Sequence, residues 1–424
     1  MNFERMRALL LDQAIRGLLD ERKSTDSVVA VVEGCLKREA YPFEVPDSWR
    51  WYPLGKILEY GKATQVSSDQ ISETTWVLDL EDIEKGTGRL ATKKRGTPTT
   101  SNKAKFSKGD VLYGKLRPYL NKVVVADEVG VCTTEIVPIN VKTAKVALSA
   151  EYLKSYLMSP FFLDYANKIS YGVKMPRLGT KDAKAALIPV PPIEEQERIV
   201  AKLEWAFAEI DRARKAYEEL QALAGVLRGQ ILQGAIQGKL VPQLAEEGVV
   251  EQIGATPKEV PFEIPESWKW MLFKQTCSSL DGKRIPLKKD DRAKLEKRYP
   301  YYGATGVIDF VDDYIFDGVF LLIGEDGANL LSRSKDNAFI ASGKIWVNNH
   351  AHIFEENGVA DLRYLALMIN ATSLSPYVTG SAQPKLTQKN LYSIPVPIPP
   401  IQEQVRIVAK VEELLNQVDA MATR

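Results

Sequence analysis

Apolar and small residues recur at alternating steps of four and three through the middle of the chain: Ile199, Leu203, Ala206, Ile210, Ala213, Tyr217, Leu220, Ala224, Leu227, Ile231 and Gly234. A 3.5-residue period sustained over about five heptads predicts a coiled-coil seam, because an α-helix keeps such a stripe against one partner only by supercoiling. The positions between carry Glu194, Glu195, Glu197, Arg198, Lys202, Glu204, Glu209, Asp211 and Arg212, the composition of a solvated helix back. As one helix from Ile193 to Gly238 the stretch would span about 69 Å, too long for the interior of one small domain. It reads as a spacer in need of a partner helix.

Two more segments carry the same signal. Residues 1–19 read as an amphipathic helix on Phe3, Met6 and Leu10, stopped by Gly17, and the C-terminal stretch continues the heptad through Ile407, Val411, Leu414, Val418 and Met421. Three internal repeats tie these pieces together. Pro42-Phe43-Glu44-Val45-Pro46-Asp47-Ser48-Trp49 returns as Pro261-Phe262-Glu263-Ile264-Pro265-Glu266-Ser267-Trp268. Pro191-Pro192-Ile193-Glu194-Glu195-Gln196-Glu197-Arg198-Ile199-Val200 returns as Pro399-Pro400-Ile401-Gln402-Glu403-Gln404-Val405-Arg406-Ile407-Val408. Arg7, Leu11, Ala14, Ile15 and Gly17 match Arg228, Leu232, Ala235, Ile236 and Gly238. The C-terminal helix therefore copies the first part of the central helix, and the N-terminal helix copies its last part. The chain reads as a tandem duplication cut open inside one of its two helices, pseudo-two-fold and circularly repeated. The seam expected to close the coiled coil comprises Ile199, Leu203, Ile210, Tyr217, Leu220, Leu227, Ile231, Ile407, Val411, Leu414, Val418 and Leu10. Each proline phrase reads as an extended exit into a helix, where proline is tolerated before the first turn.

Between the repeats, residues 52–187 and 271–395 mix strand-like runs (Val123–Ala126, Val319–Ile323) with turn-rich loops and helical segments, and resemble each other little. The fold class expected is α+β: two mixed α/β globules separated by two long antiparallel coiled-coil helices. The expected division is 1–40 as N-terminal helix and tether, 41–192 as first globule, 193–240 as central helix, 241–400 as linker and second globule, and 401–424 as C-terminal helix.

Composition changes this picture little: 45% hydrophobic and 26% charged residues describe an ordinary soluble protein. Three separated cysteines without a CxxC pair suit reduced thiols in a cytoplasmic protein. No signal-peptide core or membrane-length apolar run is present. Enzyme signatures are also missing. There is no GxxxxGK[ST] phosphate loop and no Gly-rich strand–turn–helix for a methyl donor or dinucleotide. His350 and His352, the only histidines, superficially suggest a metal-dependent nuclease; alternation along a strand is the simpler reading, with no acidic cluster in sequence to complete a site.

Charge gives the positive signal despite a formal net of +1. From Lys85 to Lys122 there are eleven basic residues and one acid, Asp110; from Lys283 to Arg298 there are eight against three. For any single lysine a solvated loop is the simpler reading. Two basic clusters, one per globule, favour DNA, with Lys/Arg for phosphates and interspersed polar side chains for base edges. The candidate contacts are Lys93, Lys94, Arg95, Lys115, Arg117, Tyr119, Lys122, Lys174 and Arg177 in the first globule. In the second they are Lys283, Arg284, Lys288, Lys289, Arg298, Tyr301, Tyr302, Lys344, Asn349 and Lys385.

The doubled proline–tryptophan and Pro-Pro-Ile phrases, with Gly109-Asp110-Val111-Leu112-Tyr113-Gly114-Lys115-Leu116-Arg117-Pro118-Tyr119, resemble the specificity subunits of type I restriction–modification systems. So do Gly324-Glu325-Asp326-Gly327 and the run from Ala341 to His352. The resemblance covers essentially the whole chain. It implies a non-catalytic reader of double-stranded DNA whose globules are two target recognition domains, each reading half of a split sequence. It further implies assembly with two methyltransferase and two restriction subunits, and no membrane. S-adenosylmethionine, ATP and magnesium would belong to those partners, this chain binding no cofactor or metal and having no catalytic residue. A stand-alone nuclease and a coiled-coil scaffold without a DNA role are the other readings.

Overall fold

Gly17 and Gly238 end their helices alike, and here the duplication becomes visible in three dimensions. The computed structural model describes residues 2–20, 23–96, 101–380 and 382–423. The N-terminal helix (Phe3–Ile15) starts on Asn2, whose side chain accepts from the Arg5 N–H, and the central helix runs Ile193–Ile236. After each, the chain turns left-handed at a glycine with φ of +71°. The following amides close the last turn by hydrogen bonding back: Gly17 to Ala14 and Leu18 to Gln13, Gly238 to Ala235 and Lys239 to Gly234. A Cβ on Gly17 would lie 2.5 Å from Pro46 Cδ, and one on Gly238 2.5 Å from Pro265 Cγ. Each glycine is thus required both by its backbone conformation and by the proline of the repeated phrase.

The chain forms two compact units, Met1–Ala216 and Tyr217–Arg424, so that the central helix is shared between them instead of forming a segment of its own. In unit 1 the N-terminal helix runs antiparallel to the first half of the central helix. Arg7 donates to the Phe207 carbonyl and pairs with Asp211 at 2.5 Å, while Arg198 reaches Asp20 and Asp26 at 2.7 and 2.8 Å. In unit 2 the C-terminal helix (Ile401–Thr423) runs antiparallel to the second half: Gln221 donates to the Ala422 carbonyl, Arg228 pairs with Asp419, and Arg406 pairs with Glu247. Arg7 with Asp211 and Arg228 with Asp419 are copies under the repeats, as are Arg198 with Asp26 and Arg406 with Glu247.

Seam residues Ile199, Leu203, Ile210, Ala224, Ile407, Val411 and Val418 are buried, and Leu10, Tyr217, Leu220, Leu227, Ile231 and Leu414 are half-buried. Three expected stripe positions are corrected, Ala213 of the central helix, which is exposed, and one on each terminal helix. Met6 is exposed and the N-terminal helix instead buries Leu11, Ala14 and Ile15; Met421 is exposed and Ala422 takes the seam. In both places the buried face follows a step of four, the nearer match to an untwisted helix over one or two turns.

The proline phrases are strands. In unit 1, β1 (Arg50–Pro53) pairs antiparallel with β2 (Leu187–Val190), Trp51 opposite Pro189. In unit 2, β3 (Lys269–Leu272) pairs with β4 (Pro395–Ile398), Trp270 opposite Pro397. Each two-stranded neck gathers the start and end of a globule where a helix begins. Gln196, in the first turn of the central helix, accepts from the Ser149 N–H and donates to the Ala147 and Pro191 carbonyls; Gln404 does the same with Asp361, Val359 and Pro399. Tyr152 and Tyr364 hydroxyls donate to the strand carbonyls of Pro189 and Pro397, both at 2.7 Å.

Beyond the necks the units differ. Unit 1 carries a five-stranded sheet in the order Gln65–Val66, Lys103–Phe106, Gly130–Cys132, Trp76–Leu78, Lys94–Arg95, and a three-stranded sheet centred on Val111–Gly114. Unit 2 carries one six-stranded sheet in the order Ser278–Ser279, Ala351–Glu355, Phe316–Gly324, Ala338–Val347, Tyr299–Gly303, Gly306–Val311. Mixed sheets and helices in each confirm the α+β class.

Candidate nucleic-acid interface

The first basic cluster is less basic in space than in sequence. Lys93 pairs with Asp127 and Glu128 and lies 4.4 Å over the Trp76 ring, Lys94 pairs with Glu81 and Asp82, and Arg95 pairs with Glu128. Burial would raise the Asp82 carboxyl, but Lys94, the Asp79 N–H and the Thr92 hydroxyl hold it below its usual range. Lys93 holds Asp127 low, and Arg95 holds Glu128 low. These acids lie just outside the basic run in sequence, and the sheet brings them in. Lys122 spends its ammonium on the Leu80 carbonyl at 2.7 Å. Lys93, Lys94, Arg95 and Lys122 thus hold the globule together before they offer charge outward.

Lys115, Arg117, Lys174 and Arg177 do come together, and Tyr119 is exposed in the turn that follows Arg117. The segment Tyr171–Arg177 is a hairpin whose ends exchange hydrogen bonds, Tyr171 N–H to Arg177 O and back, at 3.1 and 2.9 Å. Its base is bolted to the Lys115–Arg117 phrase: Arg117 N–H donates to the Pro176 carbonyl at 2.6 Å and Leu178 N–H to the Lys115 carbonyl at 3.0 Å. The Arg177 guanidinium grips both Glu135 oxygens at 3.1 Å. Arg117 and Asn121 both adopt left-handed backbone, φ 52° and 47°, on either side of Pro118–Leu120. Arg177 is therefore a fastener, while Tyr119 and Lys174 are exposed and Lys115 is half-buried, the two lysines without an ion pair among the described residues. The residues that charge alone does not point to are Val173 and Met175, exposed at the hairpin tip, and Tyr171, exposed at its base. Their signal in the sequence is apolar residues with no periodic partner inside a glycine- and proline-bounded phrase.

In unit 2, Tyr301 is corrected: it is buried, its hydroxyl accepting from the Leu287 N–H at 2.9 Å. Arg284 is corrected too, held by Glu325, Asp281 and the Ala351 carbonyl. Tyr302 is half-buried and stacks on Phe339. Lys283, Lys288, Lys289, Arg298, Lys344 and Asn349 are exposed, Arg298 paired with Glu296 and Lys344 lying 4.6 Å over the Tyr314 ring. Lys385 pairs with Glu325 at 3.2 Å.

The histidines have carboxylate partners distant in sequence. Buried His352 sits between Asp281, 2.5 Å from Nδ1, and the Leu386 carbonyl, 2.9 Å from Nε2; exposed His350 faces Asp326. Asp281, far from His352 in sequence, is thus an internal partner. Burial would raise Glu325, yet Arg284, His352 and Lys385 hold it low. Among the described residues no group of histidine, cysteine and acidic side chains could hold a metal ion.

The family model for the type I restriction modification DNA specificity domain matches residues 46–222 and 265–424. The chain belongs to this family. Among curated relatives, the EcoDI specificity subunit of Escherichia coli is 29% identical over 209 residues, 48% of this chain and 45% of that protein. A putative type I restriction enzyme specificity subunit of Haemophilus influenzae is 34% identical over 148 residues, 34% of this chain and 37% of that protein. The chain therefore spans less than half the length of these two relatives; against the EcoEI subunit of E. coli, at 22% identity, the match covers 99% of this chain and 90% of that protein. The fold is that of a chain from a structure describing assembly and conformational transition of the type I R-M system (TM-score 0.68, 20% identity, 90% of this chain and 94% of that one). It is also that of the HsdS subunit from Thermoanaerobacter tengcongensis (TM-score 0.57, 20% identity, 90% and 92%). Among the described residues no helix is long and apolar enough to cross a membrane.

Proposed function

We propose that this specificity subunit reads a bipartite DNA sequence, one half through each globule, and positions partner subunits on it. One observation carries the reading: the same helix–neck frame occurs twice and bears two different globules. Duplicating a frame while varying what it carries suits two half-sites of different sequence, with an unread spacer set by the helices between. In this reading two methyltransferase subunits dock on the frame, two restriction subunits join them, and S-adenosylmethionine, ATP and magnesium are theirs. The chain acts in the cytoplasm as a non-catalytic reader through Lys115, Tyr119 and Lys174 in unit 1 and the exposed Lys283, Lys288, Lys289, Arg298, Lys344 and Asn349 in unit 2. The test is to produce the chain with a type I methyltransferase subunit from the same genome and map methylated adenines genome-wide. The expected result is one motif of two short specified blocks around a fixed unspecified gap; a single continuous block, or no methylation dependent on this chain, refutes the proposal.

A further inference from the structure

The hairpin of unit 1 has a twin. In unit 2, Thr379 and Lys385 exchange backbone hydrogen bonds at 2.9 and 2.8 Å, Gly327 N–H donates to the Pro384 carbonyl and Leu386 N–H to the Glu325 carbonyl. These bonds reproduce those of Tyr171 with Arg177, Arg117 with Pro176 and Leu178 with Lys115, although the surrounding sheets differ. The turn is shared as well: Gly172 and Gly380 have φ of +100° and +84°. A Cβ on either would meet the carbonyl oxygen of the residue three further on, at 3.1 and 2.6 Å. Both hairpins are Gly-x-x-x-Pro followed by a cation, and that cation pairs with a carboxylate in each: Arg177 with Glu135, Lys385 with Glu325.

The three residues between glycine and proline differ in kind, Val173-Lys174-Met175 against Ser381-Ala382-Gln383, as does the residue before the glycine, Tyr171 against Thr379. In unit 1 they project without cover: Val173 is fully exposed at 102%, with Tyr171 at 62% and Met175 at 46%. Apolar side chains on a rigid base cost solvation unless something covers them. Lys174 stands between them, Lys115 lies in the phrase bonded to the hairpin base, and the carboxylate there, Glu135, is consumed by Arg177. An apolar tip with cations beside it fits the floor of a DNA groove, where apolar groups meet thymine methyls or wedge between base steps while lysines hold flanking phosphates.

We propose that the Tyr171–Arg177 hairpin is the base-contacting element of unit 1, Val173 and Met175 meeting the bases and Lys174 and Lys115 the flanking phosphates. This rests on the DNA-reading function proposed above. The test is the triple substitution Val173→Ser, Lys174→Ala, Met175→Gln, which gives unit 1 the tip sequence of unit 2 and keeps the glycine and proline that set the turn. The variant is produced with the same methyltransferase subunit, its folding checked by thermal melting, and its methylated motif mapped beside that of the wild type. The expected result is a changed or relaxed preference at one to a few base pairs of one half-site, discrimination there falling about 5- to 100-fold, with the other half-site unchanged. Three outcomes overturn the proposal: an unchanged motif at wild-type methylation levels, a uniform loss of affinity for all duplexes, or loss of co-purification with the methyltransferase, which would assign the tip to a protein contact. A wild-type chain that yields no bipartite motif refutes the parent reading instead, and is scored separately.

Discussion

Lys115 and Lys94 look alike in sequence, yet the structure gives them different work. Lys94 sits on Glu81 and buried Asp82, whereas half-buried Lys115 lies in the phrase bonded to the hairpin and has no ion pair among the described residues. Lys115→Ala should weaken DNA binding and reduce the slope of log affinity against log salt by about 1, with thermal stability retained. An unchanged salt slope, measured by titrating a target duplex at several salt concentrations, would show that Lys115 faces no phosphate. Lys94→Ala should do the reverse, because it strands a buried carboxylate: thermal melting should show a destabilisation of about 1–3 kcal/mol. Counting charge along the chain makes these lysines equivalent, since Asp82 and Glu128 lie outside the counted run. Tyr301 misleads for a related reason, because a tyrosine in a basic loop and one buried under it have the same local sequence.

At the scale of elements, the helices and their ends are the most legible part. The long heptad announces the central helix, and the third repeat pairs Gly17 with Gly238 from residue identity and spacing alone. At Met6 and Met421 the sequence pattern phases the terminal helices wrongly, because a few apolar residues near a helix end do not fix a phase. What Gly17 and Gly238 press against is not legible; the close approach to Pro46 and Pro265 comes from packing. Gly17→Ala and Gly238→Ala should each cost about 1–3 kcal/mol through forced left-handed backbone, with more from the proline contact. Chemical denaturation checks this, and variants as stable as the parent would show that the helix ends yield. The strands of the necks read in sequence only as extended exits. Their pairing is hidden because partners more than a hundred residues apart leave no local trace.

At the scale of the whole molecule, the duplication is legible from three repeated phrases, and the different sheets of the two units are not, since nothing local encodes their strand order. The proposed use of the helices as a spacer can be tested directly. Adding four residues, one helical turn of ~6 Å, to the central helix and to its antiparallel partner should lengthen the unread gap by one or two base pairs. Adenine methylation mapping on the insertion variant reads the gap, and an unchanged gap would remove the helices from that role.

The necks also constrain the order in which the protein comes into being. Arg50–Pro53 cannot meet Leu187–Val190 until everything between has been synthesised, and closing so long a loop on four residue pairs alone is entropically unfavourable. The globule must therefore collapse first and deliver the two strands to each other. The first turn of the central helix, whose Gln196 bonds Ser149 and Ala147 of that globule, acquires its direction only afterwards. Folding should thus be hierarchical and slow at the neck, each long helix being aimed late by the domain that precedes it.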